Sequence, residues 1–411
     1  MRVAYFSPMP PEQTGIADYS ALLLPELRKR LDVHVVRRGA KKRPRGMDVA
    51  LYHVGNNPGA HAWIVDALRR EPGVVVLHDF VLHHLVAGMT LARRDRDGYL
   101  DILEREHGVV GRLLAHGVIE KRIPSLWESR AADFPLATFV LEHATALVVH
   151  SRYVRDQARA AGFEGQITVV PHPAWPPPGA EPDRVSGGVV IGCFGVVNAS
   201  KRIPALLRAT AAVRREHSEV TLLLVGPTSP GFDLERRLQR LGLSGAGLVR
   251  EGWVDELRLW RLMAGSDILV NLRHPTMGET SGSVIRGLSL GKPLVVSDVG
   301  WFAELSGDVA LKIAPDDLEV DTLTAALELL ATRRDVRDAM GIAAREVARR
   351  DHDVGRVAEL YASALERAAG GDSVDDTVLR DVSGAAAGVG ISANTAEARE
   401  IARRLAEVEL G

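Results

Sequence analysis

The chain has 411 residues, of which 46% are apolar and 25% are charged, and its formal net charge is −2. At about 100–200 residues per domain, this length predicts two domains and allows three. The near balance of acidic and basic residues argues against a nucleic-acid-binding protein. No run of residues reaches the ~18 apolar positions that a membrane span needs, so no membrane span is expected.

A single cysteine, Cys193, lies in an apolar run at residues 189–194. One cysteine cannot form a disulfide within the chain, and this fits a reducing cytoplasm as the expected location. A lone Cys in an apolar strand is typically a small core residue rather than a nucleophile. The first seven residues read as a strand and do not have the pattern of a signal peptide.

Short apolar, β-branched runs alternate with helical patterns in the first half of the chain. The predicted strands are residues 2–7, 33–37, 48–53, 74–78, 146–150 and 167–170. Several are almost continuous in Val, Leu and Ile, as expected for strands buried on both faces. Helical stretches lie between most of them, and this alternation predicts a parallel sheet covered by helices.

Two segments of the first half depart from the alternation. A basic run at residues 37–45 is interpreted as a solvated loop, with contact to an acidic acceptor or a membrane surface as the alternative. Residues 80–140 are too long for one crossover and are predicted to form a helical insertion in the first domain.

The pattern breaks at residues 171–179, a proline-rich segment that cannot continue a helix or a central strand. We place the domain boundary here. The prediction is an N-terminal domain at residues 1–180, a C-terminal domain at 181–350, and C-terminal helices with a flexible tail at 351–411. A final amphipathic helix at 395–410 is expected either to cross back onto the first domain or to make a dimer contact, so a homodimer is possible on this pattern.

A second series of strands is predicted at residues 189–194, 220–225, 247–251, 268–271, 294–297 and 309–313. The connecting helices are predicted at 203–216, 234–241, 256–264 and 283–290. The chain is therefore predicted to be an α/β protein with two Rossmann-like, doubly wound parallel sheets facing a cleft. Open sheets of this kind bind ligands at the carboxyl ends of their strands.

One candidate phosphate site follows the first strand of the second series. The strand ends at Gly195, and a helix begins soon after Lys201 and Arg202. Free N–H groups at a helix start favour anions, and a Lys there adds a positive charge, which would suit a diphosphate. The alternative is an ordinary capped helix with an exposed Lys, and the spacing is not that of a Walker loop.

A second candidate lies in the loop after residues 268–271. Glu279 precedes a helix start and is followed by the small polar residues Thr280, Ser281, Gly282 and Ser283. Small residues let a backbone approach a ligand closely, and their N–H groups can hold phosphate oxygens. A carboxylate there can accept hydrogen bonds from sugar hydroxyls, although an ordinary helix cap would also use such residues.

The segment resembles the donor site of family-4 retaining glycosyltransferases. The pattern P-x-x-x-E-x-x-G runs from Pro275 through Glu279 to Gly282, and Gly291-Lys292-Pro293 and Ser297-Asp298 follow in the order typical of that family. Gly195 and Lys201 also match the spacing of its glycine and lysine. The resemblance implies the GT-B fold, a nucleoside-diphosphate sugar as substrate, no other cofactor and no metal.

Roles follow from the resemblance for several residues. Lys201 would bind the diphosphate beside Gly195 and Arg202, Glu279 would contact sugar hydroxyls, and the amides around Ser281–Ser283 would hold phosphate. The family usually has an Arg directly after the glycine, where Val196 stands, and a second Glu in the following helix, where Arg286 stands. Because Arg cannot accept a hydrogen bond, we expect Arg286 to turn toward phosphate and partly replace the missing Arg.

The first domain contributes further candidates through the same resemblance. Gly15 lies in a loop that would approach the donor phosphates, and His78 closes a strand near the reacting sugar, with a structural histidine as the alternative. The acceptor-side candidates are His83, His84, Arg152 and His172. Arg152 begins a helix where it could meet an acidic group.

The implied activity is a hexosyltransferase-type transfer from a nucleotide sugar to an unknown acceptor, with retention. The alternatives are a nucleotide-sugar 2-epimerase or a phosphorylase of the same fold, or a non-catalytic homologue that binds nucleotide sugars. Asp95-Arg96-Asp97 matches the D-x-D pattern of metal-dependent glycosyltransferases but does not follow a strand, so a solvated loop is the preferred interpretation.

Overall fold

The computed structural model describes residues 1–40, 42–179, 181–243, 245, 247–370 and 395. Within these residues, two parallel sheets of six strands each are flanked by helices. The first sheet contains β1 (Arg2–Phe6), β2 (Asp32–Val35), β3 (Val49–Val54), β4 (Gly73–Leu77), β5 (Ala144–Val149) and β6 (Gln166–Val169). Its strand order is β2-β1-β3-β4-β5-β6.

Helices cover both faces of the first sheet because its strands carry apolar side chains on both sides. β3 and β4 are buried along their whole length. The helices of this half are α1 (Gly15–Leu27), α2 (Pro58–Leu68), α3 (His83–Met89), α4 (Arg96–Ile119), α5 (Leu126–Ser129), α6 (Thr138–Leu141) and α7 (Arg152–Ala160). The helices α3 to α6 form the insertion between β4 and β5.

The second sheet contains β7 (Val190–Phe194), β8 (Thr221–Val225), β9 (Leu248–Glu251), β10 (Ile268–Asn271), β11 (Leu294–Ser297) and β12 (Ala310–Ile313). Its order is β12-β11-β10-β7-β8-β9. The order reverses between β7 and β10, so the loops that follow these two strands diverge and leave a crevice, the place where open sheets bind ligands. The connecting helices are α8 (Ile203–Glu216), α9 (Leu234–Leu241), α10 (Glu256–Gly265) and α11 (Gly282–Leu290).

All twelve predicted strands are present, in two parallel sheets with a helical insertion in the first half, so the predicted fold class is confirmed. Cys193 is buried in β7 as expected of a core residue, and burial raises the pKa of its thiol. Among the described residues, no helix combines the length and the apolar character needed to cross a membrane.

The last described helices are α12 (Glu319–Thr332), α13 (Arg334–Asp351) and α14 (Val354–Ala368). The helix α14 packs against α1, and its residues Val357, Tyr361 and Leu365 are fully buried in the core of the first sheet. The hydroxyls of Tyr19 and Tyr361 are 2.7 Å apart. The helix predicted at residues 395–410 and the flexible segment at 370–394 lie almost entirely outside the described residues.

The chain crosses between the two sheets twice, and the crossings run side by side. The ring of His352 donates from Nδ1 to the carbonyl of His172 (2.7 Å), and the Ala174 N–H donates to the carbonyl of His352 (2.7 Å). These two hydrogen bonds tie the proline-rich link to the start of α14.

Candidate functional site

A cleft of about 360 Å³ lies between the carboxyl ends of the two sheets. Residues of both sheets line it. From the first half of the chain these are Gln13, Thr14, Gly15, Ile16, Tyr19, Asn56, Asn57, His61, His78, Asp79, His150, His172 and Trp175, and from the second half they are Glu279, Thr280, Gly282 and Arg286.

Backbone hydrogen bonds join the two halves of the chain beside the cleft. The N–H groups of Phe80 and Val81, just after β4, both donate to the carbonyl of Met277, at 2.8 and 3.0 Å. The next residue, Gly278, has φ +80°, and a Cβ placed on it would lie 2.7 Å from the Cβ of Phe80. The loop that carries Glu279 is therefore held directly against the end of β4.

The carboxylate of Glu279 is fixed by three partners in its own loop. Its Oε1 lies 2.6 Å from Nε of Arg273, and its Oε2 accepts from the Met277 N–H at 2.7 Å and from the Thr276 hydroxyl at 3.2 Å. Both side chains of the ion pair are less than one fifth exposed. Arg273 lies two residues after the end of β10, so this pair stands on one side of the crevice between β7 and β10.

Lys201 stands on the other side of the crevice, after β7. Its ammonium donates to the Phe194 carbonyl at 2.5 Å, beneath Gly195. Gly195 has φ +99°, and a Cβ at that position would collide with the Lys201 ammonium. Burial, with a smaller contribution from the positive charge of Arg273, lowers the pKa of Lys201 to about 8. An anion at the mouth of this crevice would stabilise the charged form of both side chains.

The helix α11 begins at Gly282, within the cleft lining. Ser281 is its N-cap and accepts from the Val284 N–H, and Asn271 donates to the same hydroxyl at 3.1 Å. The Thr280 hydroxyl is buried without a hydrogen-bond partner in the described residues. Ser283 lies in the first turn, where its N–H has no partner within the helix. The predicted cap is thus present, and its free N–H groups are at the edge of the cleft.

Asp79 is a cleft residue to which no role was assigned from the sequence. Its Oδ2 accepts from the Asn56 N–H at 2.8 Å. Burial raises the pKa of Asp79 to about 6, and the negative charge of Glu279 contributes in the same direction while Arg273 opposes it. A carboxylate from each domain therefore reaches the same part of the cleft.

Arg286 lines the cleft but is held against aromatic rings. Its guanidinium carbon is 3.9 Å from the ring centroid of Trp175 and 5.6 Å from that of Trp260. It also forms an ion pair of 3.4 Å with Glu256. Desolvation of this buried side chain is the largest effect on its pKa and lowers it. Its expected turn toward phosphate stays a prediction, and Arg273 is the nearer cation to Lys201 and Glu279.

Four imidazoles surround Tyr19 at the floor of the cleft. His78 and His172 pack edge-on to the Tyr19 ring, with centroids 4.9 and 4.8 Å away, and the His150 centroid is 5.2 Å away. His53 lies one layer deeper, and its Nδ1 is 3.0 Å from Nε2 of His78. His78 and His172 therefore reach the cleft as expected, and His150 joins them.

Several predicted site residues are not in the cleft lining. Arg202 is bound to the buried carboxylate of Glu319, with Nε 2.8 Å from Oε1. His83 is fully buried in the helical insertion, between the Phe134 carbonyl and the Tyr99 hydroxyl, both at 2.8 Å, which corrects its placement as an acceptor-side residue. His84 is exposed on α3.

Arg152 does meet an acidic group, Glu304, and this contact bridges the two halves of the chain. The Glu304 carboxylate accepts from the Tyr153 N–H at 2.6 Å and from the Arg152 N–H at 3.2 Å. Nε of Arg152 lies 3.3 Å from the same carboxylate. Glu304 thereby caps the start of α7 from the opposite domain.

Arg273 and Asp79 were given no role from the sequence. Each lies two residues beyond the carboxyl end of its strand, β10 for Arg273 and β4 for Asp79, and this position was the available signal. Their proximity could not be read from the chain, because they approach each other across the interface of two domains. In the described residues, no group of three or more His, Cys, Asp or Glu side chains could hold a metal ion. Asp95 instead caps the start of α4 by accepting from the Gly98 N–H at 2.9 Å.

Comparison with known proteins gives a match to a family model over part of the chain. Residues 188–332 match the model of the family described as glycosyl transferases group 1. A search of curated proteins gives no significant match.

Solved structures resemble nearly the whole chain. HepE from Anabaena, in complex with UDP-glucose, is similar with a TM-score of 0.62 and 15% identity over 89% of this chain and 100% of that one. Sucrose-phosphate synthase from Thermosynechococcus elongatus gives a TM-score of 0.59 and 15% identity over 89% and 98%. WaaG, a glycosyltransferase involved in lipopolysaccharide biosynthesis, gives 0.57 and 12% over 89% and 99%. The chain thus has the GT-B fold, and its residues 188–332 match the model of the group 1 glycosyl transferases.

Proposed function

We propose that the chain transfers a sugar from a nucleoside-diphosphate sugar to an acceptor, with retention of the anomeric configuration. The observation that carries the proposal is the convergence of Lys201, Arg273 and Glu279 at the crevice between β7 and β10, next to the start of α11. The group 1 match covers all of these elements, and structural neighbours were solved with UDP or UDP-glucose.

The departing diphosphate is the charge that this arrangement suits. Breaking the donor bond places negative charge on the phosphates, and preorganised cations and helix N–H groups stabilise it most effectively in a site that excludes water. Lys201 and Arg273 supply the cations, and the first turn of α11 supplies the N–H groups. On this proposal no metal is required.

The sugar lies between the two carboxylates. Glu279 and Asp79 accept hydrogen bonds from its hydroxyls, and His78 contacts it from the first domain. The Phe80 and Val81 bonds to Met277 hold the domains together around the donor. Such closure excludes water, which would otherwise hydrolyse the donor.

Donor binding is tested by thermal unfolding of the full chain with UDP, GDP, ADP, dTDP and their glucose conjugates. A ligand at one hundred times its Kd stabilises the folded state by about 2.7 kcal/mol, which is readily measured. The nucleotide that gives the largest shift also identifies the nucleobase of the donor. If no nucleotide shifts the transition, the proposed donor site is wrong.

Transfer is tested separately by incubating the bound donor with candidate sugar and lipid-sugar acceptors and following products by NMR. Retention is read from the anomeric coupling constant of the product. Conversion of the donor sugar without any acceptor would show an epimerase instead. Consumption of the donor with inorganic phosphate would show a phosphorylase. Binding without any turnover would show a non-catalytic protein.

A further inference from the structure

The imidazoles in the cleft are neutral, so the position of each proton decides what the cleft can bind. Burial lowers the pKa of His53, His78, His150 and His172, and neighbouring imidazoles lower the pKa of His53, His78 and His172 further. A neutral imidazole has one N–H donor and one acceptor nitrogen, and the hydrogen bond of one nitrogen determines the role of the other.

Backbone carbonyls fix the tautomer of two of these rings. Nδ1 of His150 lies 2.9 Å from the Val170 carbonyl, and Nδ1 of His172 lies 2.8 Å from the Pro173 carbonyl. A carbonyl only accepts, so both rings carry the proton on Nδ1. Their Nε2 atoms are therefore acceptors, and His172 lines the cleft.

His78 is different because its partner is another imidazole. Its Nε2 lies 3.0 Å from Nδ1 of His53, so one of these two nitrogens carries the shared proton. His53 is fully buried, and its Nε2 has no hydrogen-bond partner in the described residues. The ring of His53 instead packs against the Tyr5 ring, with centroids 4.6 Å apart.

The two possible arrangements differ in what is left unpaired inside the protein. If His53 donates, its Nε2 is an unpaired acceptor. If His78 donates, Nδ1 of the neutral His53 is the acceptor and its single N–H is on Nε2, where it has no partner in the described residues. Buried N–H groups without a partner are rarer in proteins than unpaired buried acceptors, and a buried donor left unpaired keeps its full desolvation cost. The first arrangement is favoured.

We propose that His53 is a positioning residue that fixes the tautomer of His78, so that Nδ1–H of His78 donates a hydrogen bond into the cleft. The floor of the cleft then presents a donor at His78 and an acceptor at Nε2 of His172. A hydroxyl group can pair with both kinds of atom. The identity of the bound group rests on the proposed function, whereas the proton position does not.

The proton position is measured directly by NMR on the full chain labelled with ¹⁵N-histidine, with His78→Gln used to assign the resonances. We expect His78 to show a protonated Nδ1 and an unprotonated Nε2, and His53 to show the same pattern. A protonated Nε2 on His78 would overturn the proposal. This measurement stands whether or not the protein is a transferase.

Two variants of equal size test the consequence for activity. His53→Asn places an amide N–H near the position of Nδ1, whereas His53→Asp offers only acceptor oxygens and forces the proton of His78 onto Nε2. We expect His53→Asn to keep kcat/KM within about threefold of wild type and His53→Asp to lose at least about tenfold. UDP affinity, which does not involve the sugar, should be unchanged in both.

The pH profile separates positioning from simple damage. His53→Asp should introduce a new pH dependence, because a carboxylate partner raises the pKa of His78, whereas His53→Asn should keep the wild-type profile. Equal losses in both variants, with identical profiles, would show that His53 is only structural. Absence of turnover in the wild type would count against the proposed function and leave the NMR result to decide the tautomer.

Discussion

The main-chain N–H of Phe80 in the first domain donates a 2.8 Å hydrogen bond to the carbonyl of Met277 in the second. Only backbone atoms take part, so side-chain substitutions do not remove this bond directly. The hydrogen bond forms only if the two segments approach each other closely. They can do so because Gly278 has no side chain.

We predict that Gly278→Ala weakens donor binding by forcing the domains apart. A Cβ at this position would lie 2.7 Å from Cβ of Phe80, in addition to the backbone strain at φ +80°. Donor affinity, measured by calorimetry with the nucleotide sugar, should fall at least about tenfold, which corresponds to about 1.4 kcal/mol.

Gly231→Ala is the matched control for Gly278→Ala. Gly231 has φ +79° and no atom within 4 Å of an added Cβ, so it carries the same strain without the collision. Both variants should lose about 1 kcal/mol of stability, but Gly231→Ala should bind the donor normally. Equal donor affinity in the two variants would contradict the role of the Phe80 contact.

Removal of the Lys201 charge should slow transfer strongly. We expect Lys201→Met to lose about 100-fold or more in kcat. Losses of this size are typical when an enzyme loses one preorganised group that stabilises charge in the transition state. Lys292→Met is the control, because the Lys292 ammonium also donates to a main-chain carbonyl, that of Ala264 at 2.7 Å, but Lys292 precedes β11 and so lies at the opposite edge of the sheet from the strand ends that form the crevice. Turnover of Lys201→Met within about threefold of Lys292→Met would refute the phosphate role.

The same lysine predicts how activity depends on pH. Burial lowers the pKa of Lys201 to about 8, so the free enzyme loses this charge as the pH rises through 8. The profile of kcat/KM should therefore fall on its alkaline side near pH 8. An arginine side chain stays charged at these pH values. The Lys201→Arg variant should therefore show no decrease in kcat/KM near pH 8, even if its overall rate is lower. An alkaline limb that persists unchanged in Lys201→Arg would assign it to another group.

Asp79→Asn should make the protein more stable and less active. Burial raises the folded-state pKa of Asp79 to about 6, above its ordinary value of 3.8, so its contribution to stability is full below pH 3.8 and is lost as the pH rises through 6. At pH 8 the variant should melt at a higher temperature than wild type, and the difference should shrink toward pH 4. Donor-sugar affinity should fall while UDP affinity stays the same.

Arg273 and Arg286 should differ in their effect on diphosphate binding. Arg273 faces the crevice beside Lys201, whereas the Arg286 guanidinium is stacked on Trp175 and paired with Glu256. We expect Arg273→Met to weaken UDP binding at least tenfold, about 1.4 kcal/mol, and Arg286→Met to weaken it less than threefold. Titration calorimetry at fixed ionic strength measures both. If Arg286→Met weakened UDP binding more than Arg273→Met, Arg286 would be the residue that replaces the arginine usual at the position of Val196.

The fold could be predicted because the residues that indicate each strand are adjacent in the chain. Runs such as residues 73–77 are apolar throughout and buried throughout, so strand, burial and parallel pairing follow from a few adjacent residues. Gly195 and Lys201 could also be linked from the sequence, since they are six positions apart in one loop. Asp79 and Glu279 were not linked by the sequence, because their approach depends on how two domains dock. The imidazole cluster has the same origin, with His53, His78, His150 and His172 coming from four separate segments.

The packing of α14 has a consequence for the order in which the protein can fold during synthesis. Val357, Tyr361 and Leu365 complete the same core as Val170 and the strands of the first sheet, yet 195 residues separate Val170 from Leu365. At about 5–20 residues per second, the ribosome needs roughly 10–40 s to bridge that gap. During this time the nascent first domain exposes the apolar surface that α14 will cover, so the domain made first is the one completed last.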